Sequence, residues 1–300
     1  MERLISYLDL IRPKATLKLA TIPLLGAVIG FYQRGDFSLF EFLRVALGAL
    51  AAIGAGMGLN DWLDRDLDIK GGKTPYDRDG RISWAKPLLS ANISSKGALF
   101  FIAALMLLAI GLTLTLPNPK SLYLLLIGGY TGCGMVGYCR LRRRLPLGGP
   151  IMASILGLFS SGGYLAVNEP NPKIIAILFG LVFLWELGPH NQGADLLDLE
   201  NDLKKGIKTI PSTLGVSFSL SLMTVSCLGM IFFSSLLFWT AKMGIIYLAG
   251  SLSGGAMLMA TILFISPANL MNSALREFKM SKRYLGILFV CTALDVLLKP

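Results

Sequence analysis

The sequence predicts an all-helical integral membrane protein that crosses the bilayer about nine times. Hydrophobic residues make up 54% of the 300 positions and charged residues only 15%, with a mean hydropathy of +0.63. These values exceed what soluble domains carry. Most of the apolar segments are near the length of about 20 residues that a helix needs to cross hydrocarbon. Nine such segments follow one another: 16–32, 40–59, 97–116, 122–138, 150–167, 174–188, 216–239, 244–265 and 284–298.

One membrane domain over residues 1–300 is the simplest interpretation of the sequence. The sequence contains no Pro/Ser/Gly-rich linker and no low-complexity tract that would divide it. Several charges precede the first apolar run, which is unlike a cleavable signal peptide. The four cysteines lie in or beside apolar segments without Cys-x-x-Cys spacing, so we expect them to pack rather than bind metal.

The net charge of +10 reflects membrane topology rather than a nucleic-acid partner. If the N-terminus and the loops after the even-numbered segments share one side, that side holds most of the 28 Lys and Arg residues. Cytoplasmic loops carry such an excess, so the N-terminus is predicted to face the cytoplasm of a bacterial-type plasma membrane or an organelle membrane. The polar loops lack the interleaved aromatic and basic residues that hold single-stranded nucleic acid. The opposite side holds Arg34, Arg44, Lys120, Lys173, Lys242 and Lys299.

The second apolar segment ends in a dense acidic array. Like charges four residues apart on a helix repel each other, so such an array is kept when a cation lies against it. Carboxylate oxygens are the ligands that Mg²⁺ prefers, and the array is therefore predicted to bind Mg²⁺. The members that share one helical face, at about 100° per residue, are Asn60, Asp61, Asp64 and Asp68.

A second acidic array follows the sixth segment and precedes a lysine-rich turn. On a helix, Asp195, Asp198 and Asp202 also share one face. Two facing arrays suit two or more Mg²⁺ ions around one strongly anionic ligand, and a diphosphate fits this description. The lysines that follow, among them Lys205 and Lys208, are predicted to complete the charge balance and to contact that ligand.

Two basic connections accompany the arrays. The longer one, 69–96, begins directly after the first array, and a loop of this length in a compact membrane protein is predicted to act as a lid. The shorter one, after the fourth segment, is dense in arginine. It either anchors the topology or supplies one or two side chains, Arg140 among them, to the diphosphate.

A third polar cluster closes the sixth segment. His190 is the single histidine of the chain, and a lone histidine near a helix end is more often structural than catalytic. Glu186, His190 and Asn191 nevertheless lie shortly before the second array, which suggests an acceptor pocket with Asn191 as a substrate-binding residue. Asp295, deep in the last segment, has no partner that the sequence indicates.

The two arrays together resemble a known pair of motifs. The first reads Asn60-Asp61-x-x-Asp64-x-x-x-Asp68, and the second reads Asp195-x-x-Asp198-x-x-x-Asp202-x-x-x-Gly206-x-Lys208-Thr209. In this order, within about nine spans and on the cytoplasmic side, they resemble the motifs of the UbiA superfamily of intramembrane prenyltransferases. The resemblance covers nearly the whole chain.

Three further stretches resemble motifs of that superfamily and imply substrate contacts. Arg12, before Pro13, resembles its Arg-Pro entry, and Tyr138 with the arginines that follow resembles its Tyr-then-basic segment. Lys86 begins a stretch that resembles its Arg-Pro-x-Pro-Ser-Gly motif, but with Lys for Arg, Leu89 for Pro and Ala91-Asn92 where a Gly is common. These departures concern the acceptor and the lid rather than the metal site.

The resemblance implies a helical bundle around a central cavity, with aspartates at its cytoplasmic mouth and an apolar bore for an isoprenoid tail. It also implies Mg²⁺-dependent transfer of a prenyl group from an allylic prenyl diphosphate to an aromatic, quinone-precursor or lipid acceptor. An allylic C–O bond ionises as charge builds on the diphosphate, and Mg²⁺ with fixed Lys or Arg stabilises that charge. The residues expected to carry this chemistry are Asp64, Asp198 and Lys208.

Two other functions would use the same residues. In a terpene cyclase of the same superfamily, a double bond of the chain attacks the cation and no acceptor is needed. In a cation-coupled transporter, the carboxylates would mark an ion path. The acidic residues gather at one edge of the membrane and no inverted repeat is evident in the sequence, which favours an enzyme.

Overall fold

A computed structural model describes residues 2–65, 87–88, 92–141 and 144–298, and every regular element in these ranges is helical. The first half contains α1 (Glu2–Leu10), α2 (Pro13–Arg34), α3 (Leu39–Leu63), α4 (Ser95–Leu114), α5 (Lys120–Leu141) and α6 (Gly148–Val167). The second half contains α7 (Pro172–Trp185), a π-helical turn (Glu186–His190), α8 (Asn191–Lys205), α9 (Ile210–Leu214), α10 (Val216–Ala241), α11 (Ile245–Leu263), a 3-10 turn (Pro267–Asn269) and α12 (Leu270–Leu298).

Eight of the described helical stretches are long and apolar enough to cross a membrane. They are α2 to α6, the continuous stretch Pro172–Lys205, α10 and α11. The ninth long helix, α12, packs against α2 and α11. It begins with a charged half that contains Arg276, Glu277, Lys279, Lys282 and Arg283, and continues with an apolar half. The predicted all-helical membrane bundle of about nine helices is confirmed.

The helices form two unlike groups that share α2 and α6. In one group, α7, α10, α11 and α12 pack with the shared helices around a continuous apolar core that includes Trp185, Tyr247 and Tyr284. In the other group, α3, α4 and α5 complete a wall with few buried side chains. Only two residues of α4 and two of α5 are buried within their described lengths. The second group therefore surrounds space rather than a filled core.

A close contact between α2 and α6 joins the two groups. A Cβ added at Gly26 would lie 1.9 Å from the carbonyl oxygen of Ser160, and one at Gly163 would lie 1.8 Å from that of Pro23. Helix backbones approach this closely in a membrane where small residues line the contact. The glycines at this contact are therefore required for packing.

Asp295, for which the sequence indicates no role, fixes the start of α11. Its carboxylate accepts a hydrogen bond from the backbone N–H of Tyr247 at 3.0 Å and lies against Gly244, the residue that caps α11. The first N–H groups of a helix have no partner within the helix, and a negative charge there is favourable. Asp295 thus joins α12 to α11.

Candidate active site

The second acidic array lines a polar pocket of about 90 Å³ at the end of the bundle. All three aspartates lie on α8, as their spacing predicted, and the turn after α8 forms another wall of the pocket. The end of α5 and the start of α6 close it. The structure therefore brings together residues from three parts of the sequence. The predicted site residues that line the pocket are Tyr138, Asn191, Asp195, Asp198, Asp202, Lys205 and Lys208.

The turn after α8 explains how Lys208 reaches this pocket. Gly206 adopts a φ of 66°, in the left-handed region where a Cβ is unfavourable. The backbone N–H of Ile207 then donates to the carbonyl oxygen of Asp202 at 2.9 Å, which closes the helix end. The chain reverses direction there, and Lys208 lines the same pocket as Asp198.

Asn191 contributes a buried amide oxygen to the pocket. The residue is 9% exposed, and its Oδ1 has no hydrogen-bond partner among the residues that the structure describes. Gly149 of α6 makes room for it, because a Cβ there would lie 2.8 Å from Oδ1. A buried oxygen without a donor costs about 1–3 kcal/mol. A cation in the pocket would remove this cost.

The donor set of the pocket fits Mg²⁺. Carboxylate, amide and water oxygens are the ligands of this ion, which is usually held by one or two carboxylates together with substrate phosphates. Across the described ranges, no three Asp, Glu, His or Cys side chains converge into a closed metal cage.

The first acidic array lies at the end of α3. Asp64 follows the last helical residue and its backbone N–H still donates to the carbonyl oxygen of Asn60 at 3.0 Å, so these two residues remain one turn apart. Asp61 and Asp64 are 5% and 2% exposed. The predicted face therefore holds as far as Asp64, and Asp68 lies outside the described residues.

Arg12 forms an ion pair with Asp61 of the first array. Its guanidinium donates through two nitrogens to the carboxylate, with Nε 3.3 Å from Oδ2. Arg12 has φ 47° and ψ 67°, a left-handed conformation that residues with a Cβ rarely adopt. In this arrangement Arg12 neutralises one carboxylate of the array, and its contact with substrate stays a prediction.

The end of α5 stands between the two arrays. Asn60 Nδ2 donates to Cys139 Sγ at 3.5 Å, and the neighbouring Tyr138 lines the polar pocket. Arg140, also predicted to bind substrate, is exposed and does not line the pocket. Lys86 and most of the predicted lid, 69–86 and 89–91, lie outside the described residues.

Glu186 and His190 lie within the π-helical turn, where Oε2 and Nδ1 are 2.6 Å apart and share a hydrogen bond. The imidazole stacks between Trp185 and Phe278, with ring centroids 4.3 and 5.2 Å away. Of the predicted third cluster, Asn191 alone lines the polar pocket. The contacts of His190 favour the structural interpretation, and its acceptor role stays a prediction.

An apolar cavity of about 420 Å³ begins beside the first array and is lined mainly by α2 to α6. Its lining starts at Leu59, next to Asn60, and at Met135, one turn before Tyr138. It continues along α3 to Arg44, a length of about 22 Å at 1.5 Å per residue. The lining of the cavity therefore reaches the ends of α3 and α5, about one turn from Tyr138 of the polar pocket.

Small residues create this cavity. A Cβ added at Gly48, Gly128 or Gly132 would meet no atom within 4 Å. Along α3 the small residues Gly48, Ala52 and Gly56 recur at every fourth position and line one face of the helix. The spacing of these small residues is visible in the sequence, although it was not among the predicted features. Asn201, which lies one turn after Asp198 and lines the polar pocket, was not predicted either.

The sequence profile of the UbiA prenyltransferase family matches residues 20–282. The chain belongs to the UbiA prenyltransferase family. The predicted superfamily is therefore confirmed, and the shared region includes every predicted site residue except Arg12.

Relatives in this family carry two different names. A protoheme IX farnesyltransferase of Metallosphaera sedula is 28% identical over 99% of this chain and 98% of its own length. A digeranylgeranylglyceryl phosphate synthase of Natronomonas pharaonis is 27% identical over 73% of each chain. A protoheme IX farnesyltransferase of Thermus thermophilus is 27% identical over 96% of this chain, but the chain spans only 45% of that relative.

Solved structures of UbiA proteins share the fold. A structure described as a digeranylgeranylglyceryl phosphate synthase in membranes superimposes with a TM-score of 0.74 at 22% identity and covers 99% of both chains. A UbiA homologue from Archaeoglobus fulgidus, bound to DMAPP and Mg²⁺, gives a TM-score of 0.67 at 19% identity over 96% of this chain and 99% of its own.

Proposed function

We propose that this UbiA-family protein transfers a prenyl group from an allylic prenyl diphosphate to a small-molecule or lipid acceptor in a Mg²⁺-dependent reaction. The observation that carries the proposal is the proximity of two unlike spaces. A pocket of carboxylate, amide and lysine groups and an apolar cavity of about 420 Å³ are lined by successive turns at the end of α5, with Tyr138 in the pocket and Met135 in the cavity. An allylic diphosphate has the same two parts, a strongly anionic head and an apolar chain.

The polar pocket suits the diphosphate head. Asp195, Asp198 and Asp202, together with Asn191, would hold Mg²⁺ on one side, and the first array with Asp64 at its described end would hold it on the other. When bound, Mg²⁺ neutralises the diphosphate and makes it a better leaving group. Lys205 and Lys208 would contact the phosphate oxygens, where fixed positive charge stabilises the negative charge that develops as the C–O bond breaks. Asn60, Asp61 and Asp68 complete the proposed metal-binding set, while Arg12, Lys86, Tyr138 and Arg140 complete the proposed substrate contacts.

The apolar cavity suits the isoprenoid chain. Its volume lies within the range of about 300–1,000 Å³ that small-molecule sites occupy. An allylic cation that forms at its mouth would be surrounded by hydrocarbon rather than by water, so an acceptor competes better with hydrolysis. The predicted lid in 69–96 would serve the same purpose from the other side.

The relatives indicate the chemical class of the donor more clearly than that of the acceptor. The bound DMAPP and Mg²⁺ of the Archaeoglobus fulgidus homologue agree with an allylic diphosphate and this metal. The names of the relatives in contrast point to two different products. The proposal therefore commits to the donor, and to a site on the cytoplasmic side on the basis of the charge distribution, and it leaves the acceptor to experiment.

The test is an assay of purified protein in detergent with Mg²⁺ and a panel of allylic diphosphates, with and without lipid extract, read by mass spectrometry. A prenylated product that requires the extract supports the transferase. A cyclic hydrocarbon or alcohol formed without extract supports a cyclase instead. If no donor releases diphosphate while protein-containing liposomes take up ions, the carboxylates belong to an ion path and the proposal fails.

A further inference from the structure

One charged residue interrupts the apolar cavity. Among its described lining residues, Arg44 of α3 is the only one that carries a charge. The two threonines in the lining are satisfied by their own helices, since Thr113 donates to Ala109 at 2.9 Å and Thr131 donates to Ile127 at 2.8 Å. The rest of the lining is apolar or glycine, so Arg44 is unlike every other part of the cavity surface.

Arg44 lies at the end of the cavity that is farthest from the carboxylates. It is near the start of α3, whereas Leu59 at the mouth is near the end, about 22 Å away. Leu116, just beyond the end of α4, also lines the cavity. Arg44 therefore lies at the far end of the cavity along the direction of α3.

The surroundings of Arg44 leave part of its guanidinium without a partner. The side chain is 14% exposed, and its Nε has no hydrogen-bond partner in the part of the chain that the structure describes. Its nearest acid, Glu41, is 4.0 Å from one terminal nitrogen and accepts a shorter bond of 2.6 Å from Arg34. The ring of Phe40 lies 5.8 Å from its guanidinium carbon.

We propose that Arg44 is the end stop of the cavity and sets the longest donor chain that the enzyme uses well. The inference rests on the proposed function, because it takes the occupant of the cavity to be the isoprenoid chain of the diphosphate substrate. Each CH₂ group that leaves water for an apolar site favours binding about fourfold. This gain continues as the chain lengthens along α3 and ends where the next carbons meet the guanidinium.

A chain that passes Arg44 would have to remove a charged group from its remaining water and from Glu41. Burial of a charge without a partner is strongly unfavourable, so the longer chain would bend back or leave its last carbons outside the cavity. Donors therefore fall into two classes. Donors whose chain ends before Arg44 bury every carbon of the chain. Donors with a longer chain leave their last carbons without contact and hold the allylic C–O bond in a poorer orientation.

The experiment compares geranyl, farnesyl, geranylgeranyl and geranylfarnesyl diphosphate, each with Mg²⁺ and with lipid extract as the source of acceptor, by kcat/KM for diphosphate release. Wild type should show a longest good donor. Arg44→Ala should change the ratio of two kcat/KM values, that of the next longer donor over that of the longest donor that wild type uses well. This ratio should rise by at least about tenfold, the effect of one or two carbons in an apolar pocket. Arg44→Lys, which keeps the charge, should keep the wild-type order of donors.

Two further variants make the result decisive. Gly48 lies one turn from Arg44, and a Cβ added there would meet no atom within 4 Å, so Gly48→Leu should fold and shift the limit toward shorter donors even if Arg44→Ala does not fold. Lys120→Ala removes a charge that pairs with Glu169 outside the cavity lining, and it should leave the order unchanged. An unchanged order in Arg44→Ala and Gly48→Leu, or an equal shift in Lys120→Ala, overturns the end stop. If wild type releases diphosphate from no donor, the proposed function itself fails.

Discussion

Gly132 offers the sharpest test of whether the cavity holds the donor chain. It lines the cavity from α5, and a Cβ added there would meet no atom within 4 Å. Gly132→Leu would place four carbons in space that the chain is proposed to occupy. At about 0.8 kcal/mol for each CH₂ group that loses its place, the donor should bind about 3 kcal/mol more weakly, which is about 200-fold in Kd.

The fold should tolerate this substitution. Leucine is favoured over glycine in a helix interior by roughly 0.8 kcal/mol, and a Cβ at this position meets open space. Gly111→Leu is the matched control, because Gly111 is also helical with no atom within 4 Å of an added Cβ, but it does not line the cavity. Its kinetics should equal those of wild type.

The assay is titration of the protein in detergent with an allylic diphosphate and Mg²⁺, followed by diphosphate-release kinetics and a melting curve. Inorganic diphosphate should bind Gly132→Leu and wild type equally, since the polar pocket is untouched. Equal donor affinity in Gly132→Leu and Gly111→Leu, with both proteins folded, would refute the assignment of the cavity to the chain.

Three other substitutions test the polar pocket and the helix ends. Asp198→Ala should abolish turnover without a change in melting temperature. The control is Asp36→Ala, which changes an exposed acid between α2 and α3 and should keep full turnover. If Asp198→Ala keeps turnover within about tenfold of wild type, or roughly 1.4 kcal/mol in the barrier, the metal role of Asp198 is wrong. Gly206→Ala should cost about 1 kcal/mol of stability at its positive φ and lower turnover by displacing Lys208, and a faster enzyme would contradict this. Asp295→Ala should lower stability by about 1–3 kcal/mol through the lost bond to the α11 N-terminus, seen as a lower melting temperature with unchanged donor preference. An effect on preference alone would show that its role is not structural.

The regular parts of the molecule could be predicted because their signals are local. Apolar segments of membrane length identified the helices, and the spacing of Asp195, Asp198 and Asp202 placed them on one face of what is α8 in the structure. The π-helical turn had no comparable signal. It contains Pro189, which removes one backbone donor from the helix, but a proline does not by itself specify a π-helical turn.

Contacts between distant residues could not be predicted in the same way. Arg12 and Asp61 are 49 positions apart, and the sequence placed one in an entry motif and the other in a metal array without indicating that they pair. Asp295 likewise needed α11 as a neighbour before its role could be recognised. Such partners are chosen by helix packing, which a periodic pattern does not specify.

Glycine shows most clearly where the sequence is ambiguous. Gly26 and Gly163 let α2 and α6 touch, whereas Gly48 and Gly132 face open space, although all four lie in apolar helices. Small residues at regular spacing in a membrane helix are compatible with either use. The neighbouring helix decides between them, so the cavity became recognisable only in three dimensions.

The two helix groups divide the work in a way that follows from their packing. The filled group, with α7, α10, α11 and α12, supports α8 and therefore the polar pocket, so its positions should respond to substitution through stability. The open group has few buried side chains on α4 and α5, and changes that face its cavity have room to alter what binds without disturbing the core. Diphosphate chemistry needs fixed charges, which lie on α8 and at the end of α3, whereas chain recognition needs adjustable volume, which lies along α3, α4 and α5. Substitutions that change the preferred length of the donor should therefore lie on α3, α4 and α5. Substitutions that abolish ionisation of the diphosphate should lie on α8 and at the end of α3.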